Sequence, residues 1–255
     1  MTKHIFFLAL MIGSMVRASP VVFRSADRQT ALLELYTSEG CSSCPPAEAW
    51  LSKLKNEPGL WSEYVPVAFH VDYWNGLGWR DRLSNEQYSE RQRSYAQSWS
   101  AQEIYTPELV LNGKEWHNWF GFRGAPAAGS VRSGILYARS QDEKHWQVEF
   151  APSSGEGTEY EVTAALLVSG LGSDIGAGEN SGRHLNHDFA ALSLITRPMT
   201  SQTNGLAGTF IIDSAPKDIK GRLALAVWVT RAGQLEPLQA TGGWLPANTQ
   251  VSGSK

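Results

Sequence analysis

The stretch LYTSEGCSSCPPAEAW, residues 35–50, holds the only two cysteines of the chain, set between a strand-like run and a helix-like run. Upstream, TALLELY (30–36) is short and apolar and stops at Ser38-Glu39-Gly40, as a buried strand does. Downstream, Pro45-Pro46 open a helix that carries Ala47, Trp50, Leu51 and Leu54 on one face and ends before Pro58-Gly59. A cysteine attacks only as its thiolate. Cys41 stands just ahead of the helix start, where the helix dipole favours negative charge, and Cys44 is placed to resolve a mixed disulfide. Three chemistries are open to such a pair: a working redox dithiol, part of a metal site, or an inert clip. The sequence favours the first. Structural zinc needs four ligands and no second C-x-x-C exists. A copper site built from both sulfurs and His70 stays open. A clip closing so short a loop would constrain the unfolded chain little.

Thr106-Pro107 adds to the redox reading. It precedes a strand at Glu108–Leu111, and X–Pro is where cis peptide bonds occur. Beside the cysteines, such a bond would turn the Thr106 backbone toward a bound peptide. A C-x-x-C near a strand–helix–strand order reads as thioredoxin-like.

The elements around the motif support an α/β order. YVPVAFHV (64–71) is a second strand, parallel to the first, and DYWNGLGWRD (72–81) a Gly- and Trp-rich loop. A capping box at Ser84–Gln87, with Ser84 as N-cap, starts a polar helix whose inner side carries Tyr88, Tyr95 and Trp99. Asn112-Gly113 signals a hairpin, with a return strand over Lys114–Phe120 and a last helix over Ser130–Arg139. Beyond Ser140, six strand-like runs (HWQVEFAP, EYEVTAALLVSG, ALSLITRP, GTFIIDS, GRLALAVWVT, QLEPLQA) are separated by turn residues, with no helix among them. The expected fold class is therefore α/β: a thioredoxin-like N-terminal domain (28–140) followed by an antiparallel β-sandwich-like C-terminal domain (145–245), with the boundary near 140–145.

The chain opens with Lys3 and His4, an apolar run from Ile5 to Val16, and Val16-Arg17-Ala18 as a cleavage signal. Residues 1–18 read as a signal peptide, so the mature protein is expected to be secreted or periplasmic. No later run is long enough for a membrane helix. A net charge of −3 gives no reason to expect nucleic acid or anionic lipid as partner. The expected partners are the thiols or disulfides of exported proteins, and the chemistry needs no cofactor. Ten tryptophans are many for 255 residues, and some are expected to line a cleft.

Taken together, LLELYTSEGCSSCPPAEAWLSKL, VAFHVDYWNGLGWRD, SERQRSYAQSW, IYTPELVLNGKEW and GENSGRHLNHDF resemble an exported, thioredoxin-like bacterial family of unknown function, domain of unknown function 1223. The resemblance implies a thioredoxin-like domain joined to a β-rich one, and no established activity. Cys41, Cys44, Thr106 and Pro107 match its cysteines and Thr-Pro. His70, Asp72, Tyr73, Trp74, Gly78 and Trp79 match its second signature. The chain departs from the family after Gly113, where Trp116–Phe122 is unusually aromatic.

The remaining candidates each carry two readings. Asp72 relays protons to Cys44 or binds substrate between the walls of Trp74 and Trp79, or else it caps a loop packed by those tryptophans. Glu34 serves as base for Cys44, or simply ends a strand. Glu179, Arg183, His184, His187 and Asp188 crowd one Gly-rich loop. They form a metal site or, the stronger reading, a self-paired turn. No metal site is assigned. The function expected is thiol–disulfide exchange, with Cys41 attacking, Cys44 resolving and Pro107 shaping the docking edge. The rival is a non-catalytic binding or copper-delivery protein of the cell envelope.

Overall fold

The computed structural model describes residues 19–122, 124–154 and 159–246; the expected signal peptide lies outside them. In chain order the elements are β1 (Val21–Arg24), β2 (Ala31–Thr37), α1 (Pro45–Lys53), β3 (Tyr64–His70), α2 (Glu86–Ser98), β4 (Glu108–Leu111) and β5 (Lys114–Glu115). Then follow β6 (Gly134–Ser140), β7 (His145–Pro152), β8 (Tyr160–Ser169), β9 (Leu171–Asp174), β10 (His184–His187), β11 (Ala190–Gln202), β12 (Gly205–Ile211), β13 (Arg222–Arg231) and β14 (Pro237–Trp244).

This architecture overturns the expected α/β thioredoxin-like domain followed by a separate β-sandwich-like domain. Strands from both sides of residues 140–145 join in one mixed twelve-stranded sheet, and strand far outweighs helix. β2 lies between β3, parallel to it, and β4, antiparallel. The link to the rest is β11. It bridges β3 in parallel through Ala190 and Ala68, pairs along its length with β8, and hands its end, Thr200–Gln202, to β12.

The physical reason is the burial of β8 and β13. Neighbours in one sheet, they are hydrophobic on both faces, as central strands are. Because side chains alternate across a strand, Ala165, Leu167, Ala224, Ala226 and Trp228 join a core with β2, β3, α1 and α2. Ala164, Leu166, Leu225, Val227 and Val229 join a second core with β6, β7 and β12. One pair of strands therefore walls two interiors. Local periodicity reveals that a strand is buried, but not which distant strand it joins.

Three local expectations also change. Ser130–Arg139 is not a helix: Gly134, Leu136, Ala138 and Ser140 are buried while Ile135, Tyr137 and Arg139 are not, a period of two, and β6 pairs with β1 and β7. Leu, Ala and Arg favour helix locally, and tertiary pairing overrides them. The return strand stops at Glu115, followed by a single 3-10 turn at His117–Trp119. The N-cap of α2 is Asn85 rather than Ser84, its side chain accepting from the Gln87 N–H at 2.9 Å. Among the described residues, no helix is long and apolar enough to cross a membrane.

Candidate functional site

Cys41 and Cys44 form a disulfide, with Cα atoms 5.4 Å apart. Cys44 is the N-cap of α1. Pro45 and Pro46 fill the first two helical positions and carry no N–H. The next two N–H groups, of Ala47 and Glu48, return to the Cys44 carbonyl. The helix thus offers the sulfurs its dipole but no free amide from its first turn.

The surroundings of the disulfide come from three distant segments. The Thr106–Pro107 bond is cis. The Thr106 carbonyl lies 3.7 Å from the Cys41 sulfur and accepts from the Ser43 hydroxyl at 3.3 Å. The Trp74 indole N–H donates to the Thr106 hydroxyl at 2.9 Å. Trp74 packs against Gly40 so closely that a Cβ there would stand 3.0 Å from its own. From beyond β9 comes the loop that holds Glu179 and Asn180. Glu179 accepts from the Ser42 N–H at 3.1 Å. Hydrogen bonds from the Ser42 hydroxyl and N–H hold the Glu179 carboxyl below its usual range. Asn180, buried, donates to the carbonyls of Glu39 and Cys41, each at 2.9 Å. Ser42 and Ser43 are exposed, yet both cysteines have 0% exposure. The site is assembled and covered.

Asp72 is turned elsewhere: it accepts from the Ser89 hydroxyl at 2.5 Å and returns its own N–H to that oxygen. It fixes α2 to the end of β3. Trp79 donates its indole N–H to Glu39 at 2.7 Å. Gly178, at φ 77°, passes so close to Trp79 that an added Cβ would meet it at 3.2 Å, so the loop needs glycine there. Glu34 is held by Arg91 in two hydrogen bonds (2.7 and 3.0 Å) and by the hydroxyls of Tyr36 and Tyr95. It is committed to that pairing.

Beneath the disulfide lies a buried charge cluster that the sequence did not announce. His187, on β10, places Nδ1 2.6 Å from Glu48 and Nε2 3.2 Å from Glu39. Glu39 precedes the C-x-x-C turn and Glu48 follows it, so one imidazole ties both flanks of the motif to β10. Burial works against a charged His187, but the two carboxylates outweigh it and push its pKa up to about 10. Burial raises the Glu39 pKa, but hydrogen bonds from His187, Ser173 and Trp79 together outweigh it and hold the carboxyl below its usual range. Next to it, His70 Nδ1 meets Asp81 at 2.7 Å. Burial again opposes the charged imidazole, and Asp81 raises His70 despite it. Asp81, whose own burial would lift it, is kept low by the His70 charge.

The loop grouping expected around His184 and His187 does not form. Three apart on a strand, the two point to opposite faces. His184 is exposed and pairs with Asp174 at 2.6 Å, and Asp188 pairs with Lys55 at 2.7 Å. His187 turns inward to His70 and Glu48, and neither cysteine belongs to that set of possible ligands. The sequence flagged both histidines, but their partners lie up to 148 positions away, beyond any spacing rule.

A family model described as a protein of unknown function (DUF1223) matches residues 32–230. The chain belongs to the DUF1223 family. No curated protein matches it. Among solved structures, a structural-genomics target from Agrobacterium tumefaciens is 23% identical, with a TM-score of 0.60, covering 88% of this chain and 97% of that one. HBP35 of Porphyromonas gingivalis is 13% identical, with a TM-score of 0.54, covering 87% of this chain and 76% of that one. At such identities the likeness concerns the fold alone.

Proposed function

We propose that this DUF1223 protein is a thiol–disulfide oxidoreductase that acts through Cys41 and Cys44 on the thiols or disulfides of exported proteins, in a secreted or periplasmic setting. The observation that carries the reading is the junction itself: a disulfide at the start of α1, its Cys41 sulfur 3.7 Å from the Thr106 carbonyl. In the oxidising direction a substrate thiolate attacks the Cys41 sulfur, the Cys41–Cys44 bond breaks, and Cys44 leaves as thiolate near the positive end of the helix dipole. A second substrate thiolate attacks the substrate sulfur of the mixed disulfide and releases Cys41 as thiolate. Reduction is the same sequence reversed, Cys41 attacking and Cys44 resolving. Either direction requires the segments packed around the turn to give way, since neither cysteine is exposed.

That burial is also the observation favouring a second reading, a non-catalytic protein whose disulfide is a clip. Purified protein assayed for insulin reduction and dithiol oxidation, together with a Cys44→Ser variant used to trap partners, separates the two. Exchange predicts turnover and adducts on Cys41 released by reductant. Absence of both, with the disulfide resisting mild reductant in the folded state, discards the enzyme.

A further inference from the structure

Glu48, His70 and His187 are buried, and each offers a ligand atom within 4.8 Å of the other two. His70 is oriented from behind: Asp81 holds Nδ1 at 2.7 Å, and its other nitrogen, Nε2, is buried with no hydrogen-bond partner among the described residues. His187 has the same construction reversed. Glu39 stands 3.2 Å behind Nε2, which leaves Nδ1 facing Glu48. A carboxylate behind each imidazole fixes tautomer and ring direction, the support that metal-binding histidines require.

Those carboxylates are themselves fixed. Trp79 donates to Glu39 at 2.7 Å, the N–H groups of Glu39 and Leu83 donate to Asp81 at 2.9 Å each, and the Thr37 hydroxyl donates to Glu48 at 2.6 Å. Three carboxylates, Glu39, Glu48 and Asp81, surround the two imidazoles, and a dication bound to the deprotonated rings takes over the two positive charges that their protons otherwise supply.

We propose that His70 Nε2, His187 Nδ1 and the Glu48 carboxylate bind one divalent transition-metal ion, with zinc the best match, while Asp81 and Glu39 orient the two histidines. Two imidazoles and a carboxylate suit zinc, whereas magnesium and calcium prefer oxygen alone. The cysteines take no part, because a disulfide offers no thiolate. Binding displaces the proton between His187 and Glu48 and widens that contact to the roughly 3–3.5 Å spacing of groups sharing a zinc ion. A water molecule completes four-coordination. The ion would pin both flanks of the C-x-x-C turn to β10.

The test uses full-length protein with its disulfide oxidised, stripped by chelator and titrated with zinc chloride by calorimetry. A parallel sample takes cobalt(II) for visible spectroscopy. One zinc per chain and the intense visible bands of four-coordinate cobalt are expected. Glu48→Gln and His187→Ala should weaken binding at least 100-fold, and Asp81→Asn about 10–100-fold. Uptake should persist in the Cys41→Ala/Cys44→Ala double variant. Because buried substitutions can unfold the chain, each variant is checked by circular dichroism, and wild-type stoichiometry and cobalt spectrum stand without them. Substoichiometric zinc in the wild type, equal uptake by a folded His187→Ala variant, or loss of uptake with the cysteines overturns the assignment.

Discussion

Two buried carboxylate clusters, one in the middle of β2 and one just past its end, are built on opposite plans. In the middle of β2, Glu34 meets Arg91 and two tyrosine hydroxyls, and the guanidinium also lies over Trp228, 5.2 Å from its ring centre. Both carboxylate oxygens are occupied and the cation is permanent. Just past the end of β2, Glu39 and Glu48 share His187, with His70 and Asp81 alongside, and among the described residues His70 Nε2 is left without a hydrogen-bond partner. Another buried carboxylate, Glu108, accepts from the Gln92 amide, its one side-chain partner among the described residues. Burial raises its pKa to about 7. The lesson is one of completion. A cluster whose every lone pair is answered serves the fold, whereas one left open has capacity for something more.

The largest effect should come from breaking the finished cluster. Arg91→Ala strands Glu34 without a counter-charge and should cost about 3–5 kcal/mol in urea unfolding. The double change Glu34→Leu/Arg91→Met should recover most of that, since paired apolar replacement is often neutral. A fully destabilised double variant would show the pair to be worth more than its burial.

In the open cluster, His187→Gln in metal-free protein at pH 7 should cost about 2–3 kcal/mol, less than Arg91→Ala, because fewer bonds are lost. Equal losses would erase the distinction between the two plans.

Glu108 sharpens it from the other side. Its folded pKa lies above that of the unfolded chain, so its favourable contribution is present below about pH 4.5 and is lost as pH rises through about 7. Glu108→Gln should therefore stabilise the protein by about 1–2 kcal/mol at pH 8, and the difference should vanish below pH 4.5. Unfolding curves at both pH values decide it.

Smaller still, Trp79→Phe removes one hydrogen bond to Glu39 and should cost about 1 kcal/mol. Glu179→Ala, at the surface, should leave the urea-unfolding midpoint nearly unchanged. It should nevertheless speed reduction of the disulfide by dithiothreitol several-fold, followed by thiol labelling. An unchanged rate would mean that Glu179 is no part of the cover.

Much of the neighbourhood of the cysteines was legible because its signals are local. The β2 strand, the prolines that open α1 and the Thr106-Pro107 step each announce themselves within a few residues. The wider architecture was hidden for the opposite reason. Ile135, Tyr137 and Arg139 alternate with buried neighbours in β6, yet Leu136 and Ala138 are good helix formers, and only pairing with β1 and β7 decides. The block GENSGRHLNHDF read as a self-contained turn. In the fold its Glu179 and Asn180 reach the C-x-x-C turn, and its His187 reaches Glu39 and Glu48. Such contacts depend on sheet topology, which a linear pattern does not encode.

The double service of β8 and β13 has a further consequence for how this protein can change over time. Alternate side chains along one ribbon answer to different interiors, so neither half can be exchanged for a foreign module without re-fitting the other. Fragments cut near residue 140 should behave as sticky, half-formed chains. Inheritance, like folding, has to take the molecule whole.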